Sequence, residues 1–290
     1  MMRVQIIVDC DYGAMHHWAS GIAKYSKHEV DIRIDNASTD GNPDFIQFLI
    51  GGALTGEKNT TFMRNHKEIP CGVCVSGPIT YKALVNWFAK NPDSRKIVKG
   101  AIVLGEEYEK IFRRDIPNVR LYQAEVGVDS TIFPRKPPPN QFTIGYAEKY
   151  GFGDVYVKLL RTYGYPIVWA GDGKDKPRLK FSEMPAFYEK ISVLVDNAVE
   201  LTMRPGGLMY LEAAATGRPS LAKKTLTTEW FPQEFLCSDE DEIKLKLHKL
   251  SKDAEYYNRA VEIWSKVAES RDYRVITKEY DDAFEAMVKT

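Results

Sequence analysis

The chain has 290 residues, enough for two domains of ordinary size, and 44% of them are hydrophobic, as in a globular protein. Forty basic and forty acidic residues cancel, so no global field draws the chain to nucleic acid or an anionic membrane, and a small-molecule ligand is favoured. The opening MMRVQIIVDCDYG is too short and too soon interrupted by acids for a signal peptide, and no apolar run approaches the roughly 20 residues that span a bilayer; a soluble, cytoplasmic protein is expected.

Strand-like and helix-like segments alternate along the chain. Residues 4–8 are a short β-branched run ending in Asp9-Cys-Asp-Tyr-Gly13, and 14–26 read as a helix. Residues 28–34 alternate polar and apolar with the period of a strand. Further strands are expected at 45–50, 72–75, 100–104 and 119–124, and helices at 79–89 and 106–113. Cys71 and Cys74 form a lone C-x-x-C inside one apolar run. No second ligand pair stands at zinc spacing, so no metal site is expected and the pair reads as core packing.

Pro134, Pro137, Pro138 and Pro139 then interrupt the pattern. Such a run continues neither a helix nor a central strand, and the domain boundary is placed there, giving residues 1–135 and 136–290. The βα series restarts with strands at 142–145, 166–171, 191–195 and 219–222 and helices at 154–163, 184–190 and 208–215. Two such series predict an α/β protein of two Rossmann-like, doubly wound parallel-sheet domains. The tail is helical. Ile243, Leu247, Leu250, Ala254, Tyr257, Val261, Trp264 and Ala268 form one apolar stripe with a break near 251–253, and a last helix covers about 278–288. The acidic run 238–242 reads as a helix N-terminus.

Chemistry concentrates in residues 199–222. This stretch is a strand, a loop with Pro205-Gly206-Gly207, and a helix. Glycines let a backbone approach a phosphate, and the free N–H groups at the helix start bind the anion. Glu212, one and a half turns into the helix, suits a pair of hydroxyl donors such as a ribose offers. The plainer reading of Gly-Gly is a tight turn before a helix.

The wider pattern resembles the donor-site signature of the retaining GT-B glycosyltransferases that use nucleotide-sugars. Pro205, Gly207, Leu208, Glu212, Ala213, Ala215, Gly217 and Pro219 match it in register. Gly127-Val-Asp129 with Phe133-Pro134, Gly145 with Glu148-Lys149, and residues 167–173 ending in Gly171-Asp172-Gly173 are similar to other landmarks of that family. The resemblance covers residues 126–222 and reaches the first half only through topology and size.

It implies a GT-B fold with a cleft between an acceptor-binding first domain and a nucleotide-sugar-binding second one. The implied reaction is transfer from a UDP- or GDP-sugar with retention, without a metal or other cofactor. Glu212 inherits the ribose contact. Gly206, Gly207 and Leu208 would face the diphosphate or sugar, with Gly13, Gly145, Glu148, Gly171 and Asp172 completing the donor site. Lys149 would meet the charge on the leaving diphosphate.

Two positions depart from the family. Arg204 stands where the first signature Glu is expected, and Tyr146 where an Arg is. Arg204 is read as the replacement diphosphate cation. Glu200 recovers the lost sugar contact only if the loop is displaced. His17, beside His16 at the start of the first helix, is the third catalytic candidate, against the plainer reading of both as surface residues. Asp9 and Asp11 are candidate bases or caps for that helix. Arg64, His66, Lys67 and Lys82 read as solvated surface, with an anionic acceptor path as the alternative.

The acceptor is unidentified: a glycan, a lipid-linked sugar, a protein or a modified nucleic-acid base all fit, and the oligomeric state is open. Alternatives to transfer are a GT-B epimerase, a phosphorylase (which needs a longer chain and a pyridoxal-phosphate lysine), and a non-catalytic nucleotide-sugar-binding or scaffold protein.

Overall fold

The computed structural model describes residues 1–9, 14–49, 54–75, 78–104, 106–116, 119–147, 153–170, 179–196, 207–223 and 230–289. They fall into two compact units. One is built from Met1–Gly127 and Tyr273–Thr290, the other from Val128–Thr202 and Gly207–Asp272.

The first unit carries strands β1 (Arg3–Val8), β2 (Glu29–Ile34), β3 (Phe45–Phe48), β4 (Cys71–Val75), β5 (Val98–Val103) and β6 (Arg120–Gln123). They form one parallel sheet in the order β2-β1-β3-β4-β5-β6. Helices α1 (Ala14–Tyr25), α2 (Glu57–Asn65), α3 (Pro78–Lys90) and α4 (Glu106–Asp115) connect them. The central strands are buried almost throughout because helices cover both faces, and apart from Gln5 and Gln47 their buried residues are apolar.

The second unit carries β7 (Ile144–Ala147), α5 (Gly153–Arg161), β8 (Ile167–Ala170), α6 (Met184–Glu189), β9 (Val193–Asp196), α7 (Leu208–Ala215), β10 (Ser220–Lys223) and β11 (Leu236–Cys237). Helices α8 (Glu240–Lys252) and α9 (Ala254–Ser270) follow. Its parallel sheet runs β11-β10-β9-β7-β8. Counted within each unit, both sheets wind 2-1-3-4-5, and the first adds a sixth strand. In such sheets the winding reverses beside the first strand, and ligands bind outside the strands' carboxyl ends at that point.

The predicted tail breaks where expected. Asp239 caps α8 by accepting from the Glu242 N–H at 2.9 Å, and Asp253 caps α9 by accepting from the Tyr256 N–H at 2.9 Å. The last helix, α10 (Tyr273–Val288), belongs to the first unit. Its buried face includes Tyr273, Ile276, Tyr280, Phe284 and Met287. Trp18 of α1 donates through Nε1 to the Tyr280 hydroxyl at 2.9 Å, and Phe45 of β3 meets Phe284 at 5.5 Å between ring centroids. Gly72 of β4 leaves room for this helix, since a Cβ there would lie 2.8 Å from the Met287 sulfur.

The division therefore differs from a boundary at 135/136 with every C-terminal helix in the second domain. The reason is physical. Val128 N–H already bonds Arg271 C=O within the second unit, at 3.0 Å, upstream of the prolines. An apolar helical stripe does not record which sheet it covers.

Two elements escaped the sequence reading. α2 buries only Asn59 and Met63, and Asn59 is held by polar contacts, donating to Asp35 C=O at 2.6 Å and accepting from Ala37 N–H at 2.9 Å. β11 has two residues, too few for a period.

Cys71, Cys74 and Cys237 are buried free thiols. Cys71 and Cys74 stand an odd number of residues apart in β4, so they point to opposite faces of the sheet. Burial pushes Cys71 up to about 12, Cys237 to about 11 and Cys74 higher still, which removes any thiolate chemistry.

Candidate functional site

The site is built on β9, α7 and β10 of the second unit. β9 lies between β7 and β10, so Val193, Leu194 and Val195 are wholly buried. Its last residue, Asp196, is buried at the strand's carboxyl end and accepts a short hydrogen bond from the Tyr210 hydroxyl. α7 begins on Gly207, which supplies no side-chain cap. Gly207 is bare because the Tyr210 ring lies over it: a Cβ there would stand 2.3 Å from that ring.

The helix buries Tyr210, Leu211, Glu212, Ala213 and Ala214 in succession, so it is covered on several sides. It stops in a Schellman motif. Gly217 N–H bonds Ala214 C=O at 2.9 Å, Arg218 N–H bonds Ala213 C=O at 2.8 Å, and Gly217 adopts φ +84°. The signature glycine thus serves the left-handed turn between α7 and β10.

Within this apolar helix Glu212 is the exception, with 6% of its surface exposed. Its Oε2 accepts from the Tyr188 hydroxyl of α6 at 2.8 Å, and Oε1 accepts no hydrogen bond among the described residues. Burial raises the carboxyl to about 7, and the Tyr188 bond pulls it down in part. Burial therefore favours the neutral acid more than it would at an exposed glutamate.

Tyr188 is wholly buried and fixed at both ends. Its C=O accepts from Arg218 Nε at 3.0 Å, while the same guanidinium donates to Lys136 C=O at 3.0 Å and Pro137 C=O at 2.8 Å. Arg218 is itself 0% exposed, so its charge is satisfied by backbone carbonyls rather than a counter-ion. Tyr188, Asp196, Tyr210 and Arg218 were not named from the sequence. Tyr188 and Glu212 lie 24 residues apart on different helices, a pairing that no local spacing signals.

Of the other predicted site residues, Leu208 opens α7, half-buried. Gly145 lies inside β7 and faces packing rather than a crevice: a Cβ there would stand 2.4 Å from Ile191 Cδ1. Tyr146, 6% exposed, lies against the Tyr156 ring at 5.5 Å. His17 is 5% exposed and meets Tyr273 edge-on at 6.3 Å, inside the first unit between α1 and α10. It is a core histidine rather than a surface one, because the apolar face of α1 carries it inward. Asp9 follows β1 and is exposed. Gly13, Glu148, Lys149, Gly171, Asp172, Arg204 and Gly206 lie outside the described residues, as do Asp11 and Glu200. The described residues contain no cluster of three or more metal-ligating side chains and no helix long and apolar enough to cross a membrane.

No protein-family profile and no curated protein matches the chain in sequence. Solved structures match it in fold. AviGT4, a glycosyltransferase involved in avilamycin A biosynthesis, aligns with a TM-score of 0.64 and 10% identity, over 100% of this chain and 98% of its own. The DNA-modifying enzyme β-glucosyltransferase, studied with uridine diphosphoglucose, aligns at 0.61 and 10% identity over 100% of both chains. UDP-GlcNAc 2-epimerase from Neisseria meningitidis, bound to UDP-GlcNAc, aligns at 0.59 and 13% identity, again over 100% of both. The chain spans 57% of a GtfA/B complex chain and 55% of TarM, which it also resembles. The fold is GT-B: two Rossmann-like parallel sheets of six and five strands with interleaved helices and further C-terminal helices.

Proposed function

We propose that the chain is a glycosyltransferase that binds a UDP- or GDP-sugar in its second unit and passes the sugar, with retention, to an acceptor of unassigned class. The observation that carries this reading is Glu212: a carboxylate more than nine-tenths buried, on the helix that starts at Gly207, with one oxygen open to a donor. A buried carboxyl without a cation is costly to a fold, and recognition of a ligand diol accounts for keeping it. In this reading the amides of Gly206, Gly207 and Leu208 face the diphosphate. Lys149 and Arg204 meet the charge that grows on the leaving group.

A second reading, a protein that binds a sugar nucleotide without transferring the sugar, draws on Tyr146. The position expected to hold an arginine holds instead a phenol laid on Tyr156, and it brings no charge to a diphosphate. Epimerisation is a third outcome that the fold accommodates, since one of its structural neighbours is an epimerase.

The test is thermal denaturation with UDP-glucose, UDP-GlcNAc, GDP-mannose and the free diphosphates. A ligand that binds only the folded state stabilises it by about 2.7 kcal/mol at a hundredfold excess over Kd. Stabilisation with slow donor hydrolysis supports transfer, stabilisation without turnover supports the second reading, and no response from any probe removes both.

A further inference from the structure

Glu212 and Tyr188 form a pair whose geometry says more than the presence of a carboxylate does. Oε2 is occupied by the Tyr188 hydroxyl, and Oε1 accepts from none of the described residues. A phenol has one proton to donate, and Tyr188 spends it on Glu212. The Tyr188 ring is wholly buried against Phe133 and Phe187, and Arg218, anchored on Lys136 and Pro137, holds the backbone carbonyl of the same residue. Glu212 is held from its own side as well: its C=O accepts from Thr216 N–H at 3.1 Å and from Thr216 Oγ1 at 2.9 Å.

We propose that Tyr188 is a positioning residue for the nucleotide site, holding the Glu212 carboxyl with Oε1 turned to the ligand. The inference rests on the reading of Glu212 as the ribose contact.

The chemistry is direct. A ribose offers hydroxyl donors, which favour the ionised carboxylate over the acid. In the free protein burial favours the acid, and the Tyr188 bond opposes it. Among the described residues Tyr188 on α6 is the one titratable group that acts on Glu212, and no cation on any neighbouring element does. Bound ligand therefore takes over charge stabilisation that the protein supplies only in part, and the proton leaves to solvent. Affinity should rise with pH through about 7 and level off above it. Below that point it should fall by up to about tenfold per pH unit.

The experiment is calorimetric titration of the whole chain with UDP-glucose and GDP-mannose from pH 6 to 9. Their diphosphate diesters do not change charge in that range, and the uracil and guanine ring N–H groups begin to ionise only at its upper end. Wild type is expected to bind one of them with affinity rising to a plateau. Tyr188→Phe, checked for folding by circular dichroism, loses the bond that favours the charged form. Its rise should move to higher pH, with affinity several-fold weaker at pH 7 and largely restored at pH 9. Glu212→Gln should bind weakly with no pH dependence. A Tyr188→Phe profile that coincides with wild type, or is weakened equally at every pH, overturns the positioning role while leaving the nucleotide reading intact. Absence of binding by wild type to either probe overturns that reading and the inference together.

Discussion

Two buried carboxylates, one in each unit, show how alike folds are put to different use. Asp281 of α10, 4% exposed in the first unit, has both oxygens filled: Oδ1 accepts from Ser26 Oγ and Oδ2 from Lys27 N–H at 3.0 Å. Glu212 of α7, 6% exposed in the second, has one filled and one open. Both sheets wind 2-1-3-4-5, so topology does not distinguish the units. The hydrogen-bond inventory does. A satisfied buried acid ties helices together, whereas the half-satisfied Glu212 keeps an acceptor oxygen that the proposed function assigns to a ligand.

Substitutions can break this contrast from either side. The largest effect is expected for Glu212→Ala, which removes the proposed ribose contact. Hydrogen bonds to a charged group are worth about 1.5–3 kcal/mol each, so sugar-nucleotide affinity should drop by about 100-fold in calorimetric titration while the fold is kept.

The next effect is on stability without ligand. Between about pH 4.5, the ordinary carboxyl value, and about 7, the folded chain keeps the Glu212 proton and the unfolded chain does not. Stability contributed by this group therefore falls as pH rises through that window, by about 3 kcal/mol at the full shift. Urea denaturation of wild type at pH 5 and pH 8 should show that loss, and Glu212→Gln should flatten it. Asp281→Ala should do the reverse of Glu212→Ala. It strands the Ser26 and Lys27 donors at a cost of about 1–3 kcal/mol, read as a lower denaturation midpoint, with sugar-nucleotide affinity unchanged. Smallest is Gly217→Ala, where a Cβ in the left-handed region costs about 1–2 kcal/mol, read as a modest drop in Tm.

Part of the second unit's site was legible in the chain. Gly206-Gly207 before the run at 208–215 marked the start of α7, because helix ends have local chemical requirements. Glu212 stood out by its place one and a half turns into that helix and by its match to the resembled signature. Its state was not legible, because the Tyr188 hydroxyl reaches it from another helix and the Arg218 clamp comes from beyond the turn. His17 was read as a candidate at the first helix start, but only the position of Tyr273 on α10 shows that it faces inward. α2 was missed for a related reason: Asn59 is buried by hydrogen bonds to residues 35 and 37, which no hydrophobic period reports.

The most direct measurement compares the two acids under one ligand. Thermal denaturation of wild type, Glu212→Ala and Asp281→Ala is followed with and without saturating UDP- or GDP-sugar. The expected result is a ligand-induced rise in Tm for wild type and for Asp281→Ala, the latter from a lower starting point, and a far smaller one for Glu212→Ala. A rise in Glu212→Ala equal to that of wild type would contradict the placement of the nucleotide on α7.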